Sequence, residues 1–103
     1  MKEVSVEQLK AMRDNGESHQ LIDVREPNEF QSINIGGELI PMATVPDNLN
    51  KIRKDIPVVV HCRSGARSGN IVNYLETQGF QNVSNLQGGI LAWIDRIDKG
   101  LTQ

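Results

Sequence analysis

Apolar residues in this chain fall into short blocks separated by polar turns, and the block periods alternate between those of strands and those of helices. Val58-Val59-Val60 is a run of three β-branched residues, the pattern of a strand covered on both faces. Gln20-Leu21-Ile22-Asp23-Val24 predicts a second strand, Leu39-Ile40 a brief one stopped by Pro41, and Gln81–Leu86 another centred on Val83. Lys2 to Val4 suits a short edge strand. Between these blocks the spacing becomes helical. Val6, Leu9 and Met12 follow a capping box of Ser5 and Gln8, and Asn15-Gly16 closes that helix. Pro27 suits the first position of a helical turn, and Val45 to Ile52 predicts a helix with Leu49 and Ile52 on one side. A helix starting at Arg67 or Ser68 runs through Ile71, Val72 and Leu75 to Gln78 and Gly79. After the Gln87-Gly88-Gly89 turn, Ile90, Leu91, Trp93, Ile94 and Ile97 make the apolar face of the last helix.

Strands that alternate with helices predict an α/β fold, a parallel sheet of four or five strands with helices on both faces. The chain of 103 residues suits one domain, residues 1–103, with no repeat or linker. In such a sheet, ligands bind beyond the carboxyl ends of the strands. Asp23, Cys62 and the Gly88-Gly89 turn all fall at such ends.

Cys62 is the only cysteine, which excludes an internal disulfide, a paired-cysteine redox centre and a cysteine-rich zinc site. No metal and no cofactor is expected. The formal net charge of -2, with both signs interspersed, gives no basic footprint for nucleic acid and no polybasic membrane anchor. No apolar run approaches the length of a membrane span, and Met1-Lys2-Glu3-Val4 lacks the apolar block of a signal peptide. The expected location is the cytoplasm.

Cys62 ends a strand and faces the start of a helix, where backbone N–H groups and the helix dipole favour a thiolate. A loop of Arg63, Ser64, Gly65, Ala66 and Arg67 that curls round the sulfur would form an anion nest. Those five residues are the candidate substrate-binding set, and Arg63 and Arg67 would guide an anionic substrate. Arg67 has a structural alternative, a bridge from the loop to Asp23 or Glu29. The flanking arginines also argue against burial of Cys62. His61 reads as a packed, hydrogen-bonded strand residue, with tuning of the thiolate as the alternative, and His19 as solvent-facing.

The segment His61-Cys62-Arg63-Ser64-Gly65-Ala66-Arg67-Ser68 resembles the active-site loop of rhodanese-like domains. Leu21–Phe30 and Asn85–Trp93 match two further motifs of that family, in the same order. The resemblance implies a sheet of about five parallel strands and a Cys62 that carries sulfur as a persulfide. Asp23, Arg25 and Ser68 would then support the loop. It also implies a sulfurtransferase of the thiosulfate type. The donor would be a small sulfur anion or a protein persulfide, and the acceptor a thiol or a sulfur carrier. A persulfide carrier that needs a docked partner for release is the alternative. Related cysteine phosphatases have a loop one residue longer, with room for a tetrahedral phosphate. The four residues between Cys62 and Arg67 make a phosphatase or arsenate reductase the weaker reading. Where many single-domain members have Gly-His-Ile-Pro-Gly-Ala, this chain has Ile33–Pro41. That segment and Trp93–Asp98 are similar to rhodanese domains joined to adenylating enzymes of thiamine and molybdopterin chemistry, which implies a protein acceptor.

Overall fold

A computed structural model describes residues 1–101. The element order is β1 (Glu3–Val4), α1 (Val6–Asp14), β2 (Gln20–Asp23), α2 (Pro27–Ser32), β3 (Glu38–Leu39), a 3-10 segment (Met42–Lys51), β4 (Val58–His61), α3 (Ala66–Thr77), β5 (Val83–Leu86) and α4 (Gly89–Arg96). The five strands form one sheet in the order β1-β5-β4-β2-β3, parallel at every pairing. β4 lies at the centre, and all four of its residues are buried. The uninterrupted Val58-Val59-Val60 run is the direct consequence, since neither face of that strand meets water.

Side chains alternate across β4 and so feed two cores. Val58, Val60 and Cys62 join Ile71, Val72 and Leu75 of α3 and Val45 of the 3-10 segment. Val59 points the other way, into a cluster with Val6 and Leu9 of α1 and Ile90 and Trp93 of α4. Trp93 is the largest member of that second layer, and the Arg13 guanidinium lies over its ring at 5.1 Å from the centroid. The capping box at α1 is complete: Gln8 N–H donates to Ser5 Oγ at 3.0 Å, and Ser5 N–H donates to Gln8 Oε1 at 2.7 Å.

Several sequence-based boundaries shift. The helix expected over Val45–Ile52 is instead a 3-10 segment that begins at Met42 and breaks at Asn48. Pro46 lies inside it, and a residue without an N–H cannot extend an i→i−4 ladder. α3 starts at Ala66 rather than Arg67 or Ser68 because Gly65, at φ 109°, turns the chain straight into it. Leu91 leaves the apolar face of α4 and is 40% exposed, while Ile90 and Trp93 are buried. Among the described residues, no helix is long and apolar enough to cross a membrane.

Candidate functional site

β4 delivers Cys62 to the carboxyl edge of the sheet, and the turn at Gly65 brings the start of α3 back over it. Gly65 N–H donates to Cys62 Sγ at 3.1 Å, and the Ser68 hydroxyl lies 3.3 Å from the same sulfur. The side chain of Cys62 is enclosed, at 1% exposure, despite the two arginines in the loop that follows it. Arg63 accomplishes this by turning outward: it is exposed while its neighbour points inward. Ser64 and Ala66 are exposed on the rim, and Gly65 and Arg67 are half-buried.

Burial alone pushes the Cys62 thiol up, because an apolar site disfavours the anion. Hydrogen bonds from the Ser68 side chain and from the Ser68, Gly65 and Ser64 amides more than offset it, and the net direction is down. A thiol that is buried, yet more acidic than a free cysteine, is in the condition a nucleophile needs.

Arg67 and α4 hold the loop, and a buried ion pair braces the turn beside it. Arg67 resolves to Glu29, not Asp23, through a bidentate pair at 2.7 and 3.0 Å. The Arg67 hydrogen bonds hold the Glu29 carboxyl down at about 2. Asp23 pairs instead with Arg25, which is 2% exposed. Arg25 Nε donates to Oδ1 and Oδ2 at 3.0 and 3.1 Å, and Nη2 donates to Oδ2 at 2.8 Å. Arg25 Nη2 also donates to the Ile33 carbonyl at 2.8 Å, tying down the chain after α2. On the far side of the loop, Ile90 N–H donates to the Cys62 carbonyl and Leu91 N–H to the Arg63 carbonyl, at 3.0 and 3.1 Å. Gly89 packs so closely there that a Cβ would lie 2.5 Å from the Arg63 carbonyl oxygen.

Ser68 is fully buried, and its hydroxyl lies 2.6 Å from a second acceptor, Asn85 Oδ1. Asn85 Nδ2 donates in turn to the Gly65 carbonyl at 3.1 Å. The sequence placed Gly89 in a turn at the ligand-binding end of the sheet and Asn85 in a family motif, but gave neither a role in the site. An asparagine between Val83 and Leu86 and a doubled glycine were the available signals. His61 is buried on β4, its Nδ1 3.2 Å from the Cys62 carbonyl. Among the described residues its Nε2 has no hydrogen-bond partner, and Asp23 Oδ2 is 3.5 Å away. Burial pushes His61 down, towards the neutral ring. His19 is half-buried, with Nδ1 2.7 Å from the Glu17 carbonyl.

A cavity of about 360 Å³ opens beside the loop, lined by Arg63 and Arg25 and by the aliphatic side chains of Ile33, Ile90, Leu91 and Ile94. Among the described residues, no three His, Cys, Asp or Glu side chains converge as a metal site requires. The arrangement encloses one sulfur within reach of N–H donors, next to an exposed guanidinium.

Comparison with known proteins agrees with this geometry. Residues 5–96 match the model of the rhodanese-like domain. A protein of Allochromatium vinosum named "Sulfurtransferase" is 41% identical over 92 residues, covering 88% of this chain and 86% of its own length. "Thiosulfate sulfurtransferase GlpE" of Pseudoalteromonas translucida is 31% identical over 93 residues, covering 89% and 88% respectively. The crystal structure of a rhodanese-like domain protein from Staphylococcus aureus superposes with a TM-score of 0.86 at 37% identity, over 99% of this chain and 97% of that one. With its parallel sheet, its cysteine loop and these relatives together, the chain belongs to the rhodanese-like domain family of sulfurtransferases.

Proposed function

We propose that the protein moves sulfane sulfur from an anionic donor to a thiophilic acceptor through a persulfide on Cys62. The observation that carries this reading is the sulfur's position: Cys62 Sγ accepts a Gly65 N–H at 3.1 Å in a loop with only four residues before Arg67. That cradle suits a compact terminal sulfur, and preorganised N–H donors stabilise anionic sulfur without reorganising.

With thiosulfate, the Cys62 thiolate attacks the outer sulfur. The Sγ–S bond forms, the S–S bond of the donor breaks, and sulfite departs with the electron pair. The persulfide's terminal charge rests on the loop amides. An acceptor nucleophile, a thiolate or cyanide, then attacks the terminal sulfur, and Cys62 leaves as thiolate. Arg63, exposed beside the cavity, draws the anionic donor towards the loop. Arg67 acts through position: it anchors the loop to α2 by way of Glu29. Asp23 and Arg25 support the adjoining turn.

Thiocyanate production from thiosulfate and cyanide tests the reading. The wild type turns over and Cys62→Ser does not. Hydrolysis of an aryl phosphate that is lost in Cys62→Ser, without sulfur transfer, would replace this proposal with an oxyanion hydrolase. A wild type that loads sulfur but releases it only to an added partner protein would make it a carrier.

A further inference from the structure

Ser68 Oγ stands 3.3 Å from Cys62 Sγ and 2.6 Å from Asn85 Oδ1, and both Ser68 and Asn85 are buried. A hydroxyl carries one proton and can donate to only one of these two acceptors. The far end of Asn85 fixes its orientation. Nδ2 donates to the Gly65 carbonyl at 3.1 Å, which leaves Oδ1, an acceptor only, facing Ser68.

With Cys62 protonated, the chain is fully satisfied: the thiol S–H donates to Ser68 Oγ, and the Ser68 O–H donates to Asn85. When the thiol proton leaves to solvent, the sulfur becomes the stronger acceptor. The hydroxyl then swings about its C–O bond towards Sγ, and Asn85 Oδ1 is left without a donor. Leaving a buried carbonyl unpaired has a cost that opposes the swing. Loading a second sulfur removes the charge from Sγ, and the hydroxyl returns to Asn85.

We propose that Asn85 is a positioning residue that competes with Cys62 for the Ser68 hydroxyl proton, so that this proton changes partner each time sulfur is loaded and released. Its part in turnover rests on the sulfur-transfer reading above, whereas the competition itself belongs to the unloaded thiol. By holding the hydroxyl back, Asn85 leaves the thiolate more basic. A more basic thiolate is a better nucleophile towards the donor and a poorer leaving group when the acceptor attacks.

Other charged groups near the sulfur are Arg67 on α3 with its Glu29 partner on α2, Arg63 in the loop, and the buried Asp23, Arg25 and His61. Substitution of Asn85 changes none of them. The Gly65 carbonyl also keeps the Gly69 N–H, at 3.0 Å, when Asn85 is removed.

The test is the pH dependence of Cys62 alkylation by iodoacetamide, with no sulfur donor present. It compares wild type, Asn85→Ala, Ser68→Ala and the double variant. Asn85→Ala should lower the alkylation midpoint by about one pH unit, a tenfold change, because the hydroxyl is freed for the thiolate. Ser68→Ala should raise it, and the double variant should titrate like Ser68→Ala. A midpoint that is unchanged or raised in Asn85→Ala overturns the proposal. So does an equal fall in the Ser68→Ala background, since Asn85 would then act through the loop backbone. Asn85→Leu, close in volume, carries the same expectation and takes the place of Asn85→Ala if circular dichroism shows that variant unfolded. No sulfur donor enters this assay, so its failure and the failure of the sulfur-transfer reading are separate results.

Discussion

Gly89 occupies a position where a methyl group has no room, and Gly89→Ala displaces the Cys62 loop without removing any of its polar groups. An added Cβ would lie 2.5 Å from the Arg63 carbonyl oxygen and 2.6 Å from both the Arg63 carbonyl carbon and the Cys62 carbonyl oxygen. Relief to an ordinary contact needs a shift of roughly 0.9 Å, and the obstructing atoms are backbone, with no flexible side chain to yield. The two hydrogen bonds that fasten α4 to the loop, Ile90 to Cys62 and Leu91 to Arg63, span the same gap and must lengthen. Gly89 also sits at φ 58°, where an alanine pays about 1–2 kcal/mol. Overpacking of a well-filled site adds roughly 1–3 kcal/mol. Together these give a loss of about 2–5 kcal/mol, to be read from urea denaturation, or a fall in Tm of about 10–25 °C for a chain of this size. Sulfur loading, assayed well below the transition, should slow by about 10- to 100-fold, as displacement of a reacting group by about 1 Å does. Stability within about 0.5 kcal/mol of wild type together with undiminished loading would refute the close-packing account of the loop.

Other expectations rest on separate contacts. Trp93→Ala should cost about 3–5 kcal/mol, because the ring is buried between α4, α1 and the sheet; an unchanged Tm would show that α4 is docked differently. Arg25→Met leaves the Asp23 carboxylate buried and unpaired and should cost about 3–5 kcal/mol in urea denaturation, and a cost under 1 kcal/mol would contradict the buried pairing. Arg67 holds Glu29 at about 2, below its ordinary value near 4.5, so the pair's stabilisation is complete above pH 4.5 and is lost as pH falls towards 2. Urea midpoints measured across that range should fall less steeply for Glu29→Gln than for wild type. Parallel slopes would remove Glu29 from the acid sensitivity.

What the sequence disclosed and what it withheld divide along physical lines. Val58-Val59-Val60 carries its own assignment, because burial on both faces needs apolar residues without alternation. Ser5 and Gln8 are equally explicit, since a capping box is a contact between near neighbours. The loop from Cys62 to Ser68 could be read because its geometry follows from a glycine beside a helix start. The 3-10 segment could not. Val45, Leu49 and Ile52 have helical spacing, and Pro46 reads equally well as the first turn of a helix or as an interruption within one. Arg67 had two carboxylates to choose from, and only the placement of α2 decided for Glu29. Asn85 was opaque for a similar reason. A polar residue in a short strand reads as a turn or edge position until α3 is laid over it and brings Ser68 to its side chain. The position of Gly89 against the loop is likewise a distance between segments far apart in the chain, and composition does not encode it.

The central claim is a persulfide on Cys62, and intact-protein mass spectrometry reaches it most directly. Wild type incubated with thiosulfate and then desalted should gain the mass of one sulfur. A reductant should remove that mass, and Cys62→Ser should never acquire it. A wild type that gains no mass, or a Cys62→Ser protein that gains the same mass, would contradict the account.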